Sequence, residues 1–156
     1  MSDPRVVFMG GHGEPPGQMA IRAGSEADIP GVNWLLWRVL SANNRELGRS
    51  FTAFSSLRDA EEDFALFRAS VANAAPFIEH TVGGVEWKWT LRIEDIPRAR
   101  SSRGYERLRE CHYSLSQFLD AAPSAPVIQG EEHLVRQRKE HPAPGDFEPL
   151  PTGDLP

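Results

Sequence analysis

One stretch of this chain occurs twice. Trp37-Arg-Val-Leu-Ser-Ala-Asn-Asn-Arg-Glu-Leu-Gly-Arg-Ser50 is matched, at an offset of 52 residues, by Trp89-Thr-Leu-Arg-Ile-Glu-Asp-Ile-Pro-Arg-Ala-Arg-Ser-Ser102. With one residue deleted at the bend that follows, Phe54, Leu57, Arg58, Ala60, Phe64 and Phe67 fall on Tyr105, Leu108, Arg109, Cys111, Leu115 and Phe118. A repeat constrains architecture, because each copy must fold alike and bury its apolar face against a neighbour. A period of about 50 also suits a propeller blade, but two copies cannot close a propeller. At 156 residues the chain is one domain's worth, so the copies are read as halves of one fold.

Each copy reads as strand, turn, strand, helix. Leu35, Trp37 and Val39 in the first, and Trp87, Trp89, Leu91 and Ile93 in the second, have the two-residue period of a strand with one buried face. Asn43-Asn44 and Glu94-Asp95 are turn formers, so each strand folds back into a hairpin ending near Phe54 or Tyr105. The period then changes to that of a helix. Leu57, Ala60, Phe64, Phe67 and Val71 form one stripe, Leu108, Cys111, Leu115 and Phe118 the other, and Ser56 with Asp59 makes a capping pair. The helices should stop near Ala74 and Ala122, ahead of Pro76 and Pro123. A leading strand is expected at Gln18–Ala23 for the first copy and at Phe77–Val82 for the second, with Val127-Ile128 as a final strand. The fold class is therefore α+β: two tandem β-β-β-α repeats with helices packed on an antiparallel sheet.

The organisation that follows is an N-terminal segment of strand and flexible loop (1–17), repeat 1 (18–75), repeat 2 (76–130) and a Pro-rich acidic tail (131–156). Val6-Val-Phe-Met9 reads as a strand, and Gly10–Gly17 after it lacks both the helix start and the Gly-Lys-Ser/Thr ending of a phosphate loop. Seven of the 13 prolines lie from Pro123 onward, and His141–Pro156 has too little apolar area to offset ordering entropy, so this tail is expected to be extended, mobile and disordered. Residues 131–140 read either as a short charged helix or as more of the tail. From Pro123 the chain carries six acidic and three basic residues of a total net charge of −5, so the preceding residues are nearly neutral. That balance argues against a protein dedicated to coating nucleic acid, and one cysteine excludes a disulfide framework. No apolar run approaches the roughly 20 residues of a membrane span, and no signal-peptide pattern is present, so the expectation is a cytoplasmic protein with no membrane partner.

The repeated motif resembles the YegP-like family, small bacterial proteins of uncharacterised function built from a repeated module. The residues that carry the likeness are Trp37-Arg-Val-Leu-Ser-Ala-Asn-Asn, Gly48-Arg-Ser50 and Phe54-Ser-Ser-Leu-Arg-Asp-Ala60, with Trp87-Lys-Trp89-Thr-Leu91, Ser102 and Tyr105 in the second copy. The resemblance spans Gln18 to Ala122 and implies two β-β-β-α units paired about a pseudo-twofold axis, with strand exchange between them. It implies no catalytic residues and no cofactor.

No constellation for catalysis emerges. His12, His80, His112, His133 and His141 are scattered, with no pair at helical ligand spacing, so no metal site is expected. Cys111 replaces Ala60 on the helical stripe and reads as a small buried hydrophobe. Glu61-Glu62-Asp63 reads as acidic residues complementing a helix dipole. Two features suggest binding. Trp34, Leu36 and Leu40 lie on the second face of their strand, where the other copy has Glu86, Lys88 and Arg92; they form either a partner patch or a surface covered by Val6, Val7 and Phe8. Arg98, Arg100, Arg103 and Arg107, with Arg109, form a candidate anion or nucleic-acid patch near Trp34 and Tyr105. The leading expectation is a non-enzymatic protein-interaction module, including self-association, and the alternative is nucleic-acid or phosphate binding through the arginines.

Overall fold

The computed structural model describes residues 3–137. In chain order the elements are β1 (Arg5–Gly11), β2 (Ile21–Arg22), β3 (Trp34–Leu40), β4 (Glu46–Ser50), β5 (Ala53–Phe54), α1 (Leu57–Ser70), β6 (Ala75–His80), β7 (Trp87–Ile93), β8 (Ile96–Arg100), α2 (Leu108–Ala121) and β9 (Val135–Arg136). The architecture is α+β, one curled sheet and two helices. Its strands run β9-β1-β3-β4-β8-β7-β6, with β5 beside the first half of β3 and β2 beyond it. The sheet is mixed rather than antiparallel, because β9 runs parallel to β1 and β2 parallel to β5. The tail from residue 138, including the Pro-rich stretch expected to be mobile, lies outside the described residues. The helix option for 131–140 is replaced, over its described part, by a single 3-10 turn at Glu131–His133 followed by β9.

Local chemistry sets the hairpins. Glu94 and Asp95 both have positive φ, 53° and 68°, as a two-residue turn of matching twist requires. The first turn is one residue longer, closed by the Ser41 N–H on the Arg45 carbonyl at 2.7 Å, with Asn44 at φ 70°. In the first hairpin Arg38 opposes Arg49 and Val39 opposes Gly48; in the second Thr90 opposes Arg100 and Leu91 opposes Ala99. Both ladders shift register at the matching place, after Val39 and after Leu91. The one-residue difference therefore lies inside the turn, not at the later bend, and the counterpart of Ser50 is Ser101 rather than Ser102.

The leading strand of the first hairpin is also corrected. β1 pairs with β3 so that Phe8 opposes Trp37, just as β6 pairs with β7 so that Ile78 opposes Trp89. Gln18–Ala23 contributes only β2, beside β5. The Val6–Met9 strand is thus an inner strand of the sheet, and its outer edge is closed by the C-terminal segment: Val6 bonds Pro126 and Ile128, and Gly10 accepts from Gln137.

Both helices contribute to one core. α1 starts at Ser56, whose hydroxyl accepts from the Asp59 N–H at 3.0 Å, and buries Leu57, Ala60, Phe64 and Phe67. α2 buries Cys111, Leu115, Phe118 and Ala121, whereas Leu108, placed on the same stripe by its spacing, is 40% exposed in the first turn. Phe118 joins the two halves, its ring centroid 6.4 Å from Trp37, 6.0 Å from Phe67 and 5.0 Å from Trp89. Gly48 is where β4 passes under this cluster. A Cβ there would lie 2.6 Å from Trp89 and 2.7 Å from Phe118, so only glycine fits.

Candidate anion-binding sites

The apolar residues named for a partner patch are buried. Trp34, Leu36 and Leu40 all lie in the interior, and Trp34 and Leu36 form a second, smaller core with Met9, Met19 and Ala53. The cover is the N-terminal segment, but through Met9 and the loop residue Met19; Val6 and Phe8 face the main core instead. Alternation explains this, since Met9 opposes Leu36 while Phe8 opposes Trp37.

The arginines do not form one patch. Arg98 turns to Asp63 of α1, donating to its carboxylate at 2.9 Å. That carboxylate is 6% exposed and also accepts from the Trp37 indole at 2.8 Å and from Arg22 at 3.3 Å. Asp63, read in the sequence as a helix-dipole residue, is therefore the polar anchor of the core. Arg107 occupies the exposed N-cap position of α2 with no side-chain capping bond. Arg103 stacks on the Tyr105 ring, 4.9 Å from its centroid, and Arg100 lies on the sheet face turned away from the helices.

Two clusters emerge. The first is a cleft of about 970 Å³ between the first turn, the start of β4 and the first half of α2, lined by Arg45, Arg103 and Arg109, by Tyr105, Tyr113 and Ser114, and by the carboxylates Glu46 and Glu110. Its floor is rigid. The Ser114 hydroxyl accepts from the Trp89 indole at 3.1 Å and the Tyr105 hydroxyl at 2.9 Å, and donates to the Leu47 carbonyl at 3.4 Å. Tyr113 is 66% exposed and accepts from Gln117 at 2.8 Å, which presents the ring to solvent along the helix. Glu46 is engaged by Arg38 and Arg49, and among the described residues Arg45, Arg103 and Arg109 form no ion pair. With Glu46 already paired, three arginines face one carboxylate, Glu110, and the exposed aromatic face is that of Tyr113, since Arg103 covers the buried Tyr105 ring.

The second cluster is a row across the outer face of the sheet, Arg38 opposite Arg49 and Arg49 opposite Arg100. Glu46 takes two hydrogen bonds from Arg49, at 2.5 and 2.9 Å, and one from Arg38 at 3.3 Å. Desolvation, then the neighbouring Arg49 charge, lowers the Arg100 pKa, and Glu46 opposes the shift. Sequence reasoning singled out Arg100, Arg103 and Arg109 but missed Arg45, Tyr113, Arg38 and Arg49. The signal for Arg38 and Arg49 was the hairpin register, which needs the turn length to be known.

Burial pushes the Cys111 thiol pKa up, away from nucleophile behaviour. No group of three metal-ligating side chains converges among the described residues, and no described helix is long and apolar enough to cross a membrane.

No family model and no curated protein sequence matches the chain. Its structure is similar to the solution NMR structure of yegP from E. coli, a protein of unknown function, with a TM-score of 0.56 over 89% of this chain and 98% of that one, at 10% identity. The chain has the yegP fold. The likeness read from the tryptophan motif is therefore matched in three dimensions, and at that identity it carries fold alone.

Proposed function

We propose that this is a non-catalytic binding protein whose cleft between the first turn and α2 takes a small anion carrying a flat ring. The observation that supports it is the convergence of Arg45, Arg103 and Arg109, none ion-paired among the described residues, with Tyr105 and Tyr113 on one concave surface. Guanidinium groups supply forked donors for a carboxylate or phosphate, and the exposed Tyr113 face supplies stacking area. The test is calorimetric titration of the full chain with a nucleoside monophosphate and with an aromatic carboxylate. Arg103→Ala should weaken binding about tenfold, the worth of one charge-assisted hydrogen bond. Equal binding by the variant, or none by the wild type, would remove this reading.

We further infer that the fold is a duplicated β-β-β-α unit about a pseudo-twofold axis through the β4–β8 pair. Support comes from the matching register shifts of the two hairpins and from Arg49 opposing Arg100, which are matching positions. It comes also from the two indoles: Trp37 donates to Asp63 and Trp89 donates to Ser114, and these acceptors occupy matching helical positions.

Protein interaction keeps a second, independent support at the sheet edge. Thr81 bonds Glu86 across the β6–β7 hairpin, so alternation turns the backbone groups of Pro76, Ile78 and His80 away from β7. The matching residues of β1 are those covered by the C-terminal segment, whereas no described residue covers β6. Such an edge can accept a strand from a second copy. Sedimentation of the full chain tests this: self-association that Ile78→Pro abolishes supports it, and a monomer at every concentration removes it.

A further inference from the structure

The row on the outer face carries more charge than it neutralises. Arg38, Arg49 and Arg100 project from three adjacent strands at directly opposed positions, where Cβ atoms lie about 5 Å apart and like charges destabilise a sheet. Among the described residues only Glu46 pairs with them. Its own side chain is 12% exposed, that of Arg49 14% and that of Arg38 21%, so water screens this group poorly. Arg100 forms no ion pair among the described residues, and the Nε of Arg38 is buried without an acceptor. The N-terminal loop runs past the open side of the row, since a Cβ on Gly17 would come within 3.8 Å of the Arg100 guanidinium. Three guanidiniums and one carboxylate leave two positive charges in a half-buried place, with the Arg100 guanidinium outside any ion pair among the described residues.

We propose that this face binds a divalent oxyanion, a phosphate group held by the unpaired Arg100 guanidinium and by the Arg49 nitrogen that Glu46 leaves free, with Arg38 next in the row. A carboxylate would neutralise one of the two excess charges, whereas a phosphate dianion neutralises both and offers enough acceptor oxygens for forked donors. The site is distinct from the cleft along α2: it lies on the opposite face of the sheet and shares with it only Glu46, whose carboxylate belongs to the row. Arg103, Arg109 and the tyrosines take no part in it.

The test is titration of the full chain with inorganic phosphate and with glycerol phosphate at constant ionic strength, chloride replacing the anion in the control. Binding should fall about tenfold or more in Arg100→Gln, to a smaller degree in Arg100→Lys, which keeps the charge and loses the fork, and not at all in Arg103→Ala. Arg100→Gln should be at least as heat-stable as the wild type in phosphate-free buffer, because it removes a repulsion, yet its melting temperature should no longer rise with phosphate. Tighter binding of the ester would identify an esterified phosphate as the ligand, and equal or tighter binding of inorganic phosphate would identify the free ion. Absence of binding at millimolar phosphate, or an equal response in wild type and Arg100→Gln, would overturn the proposal; loss in Arg103→Ala alone would assign the phosphate to the cleft instead.

Discussion

At Asp63 one buried carboxylate receives the Trp37 indole and the guanidiniums of Arg22 and Arg98, whereas at Ser114 one hydroxyl receives the Trp89 indole and the Tyr105 hydroxyl. Removing the two acceptors should therefore cost different amounts. Asp63→Ala strands the largely buried Arg98 charge together with an indole N–H and should cost about 3 kcal/mol, while Ser114→Ala strands two neutral donors and should cost about 2 kcal/mol. Urea unfolding of the two variants measures both, and a larger loss for Ser114→Ala would contradict the assignment of Asp63 as the anchor. Cys111 belongs to the same scale. Its thiol is fully buried with its pKa raised by desolvation, so it should react with a thiol reagent only as fast as the chain opens, and rapid labelling of the native protein would contradict its burial.

At the scale of elements, Gly48 and the second turn make opposite predictions. Gly48→Ala drives a methyl into Trp89 and Phe118 and should cost about 1–3 kcal/mol. Glu94→Asn places a residue that tolerates positive φ where a glutamate now holds 53°, and should raise stability by about 0.5 kcal/mol. Thermal melts read both. The helices were legible because their stripes and the Ser56 cap are local signals, and the strands around Trp37 and Trp89 because alternation is local too. The turn deletion was not, since sequence similarity continues through Ser50 in either register, and the ladder pairs alone distinguish Ser101 from Ser102. Nor was the role of β1 as leading strand, because a loop of more than twenty residues separates it from β3 and no spacing rule links them. Asp63 was hidden for another reason: its carboxylate is explained only by partners from β2, β3 and β8, which the local acidic run obscures.

At the scale of the molecule, the C-terminal segment acts as the outer neighbour of β1. Ending the chain at Ala125 removes the partners of Val6 and Gly10, so amide exchange should accelerate across β1 and leave β7 comparatively protected. Uniform acceleration across the sheet would mean that the segment stabilises the whole fold rather than one edge. The sequence-level division into a neutral core and an acidic tail did not foresee how charge is arranged inside that core. Arginines from a stretch that looked like one patch separate into a core ion pair, a cleft and a row on the far face, because the register shift leaves Arg98 out of the alternation that Arg100 keeps, and the chain bends before α2.

Binding of a ring-bearing anion would place that anion in the cleft beside α2. Amide chemical-shift mapping of the full chain during titration with a nucleoside monophosphate tests it most directly. Saturable shifts are expected at Arg45, Arg103, Tyr105, Arg109 and Tyr113, retained in Arg100→Gln and lost in Arg103→Ala; shifts confined to other residues, or none, would mean that the cleft does not bind such an anion.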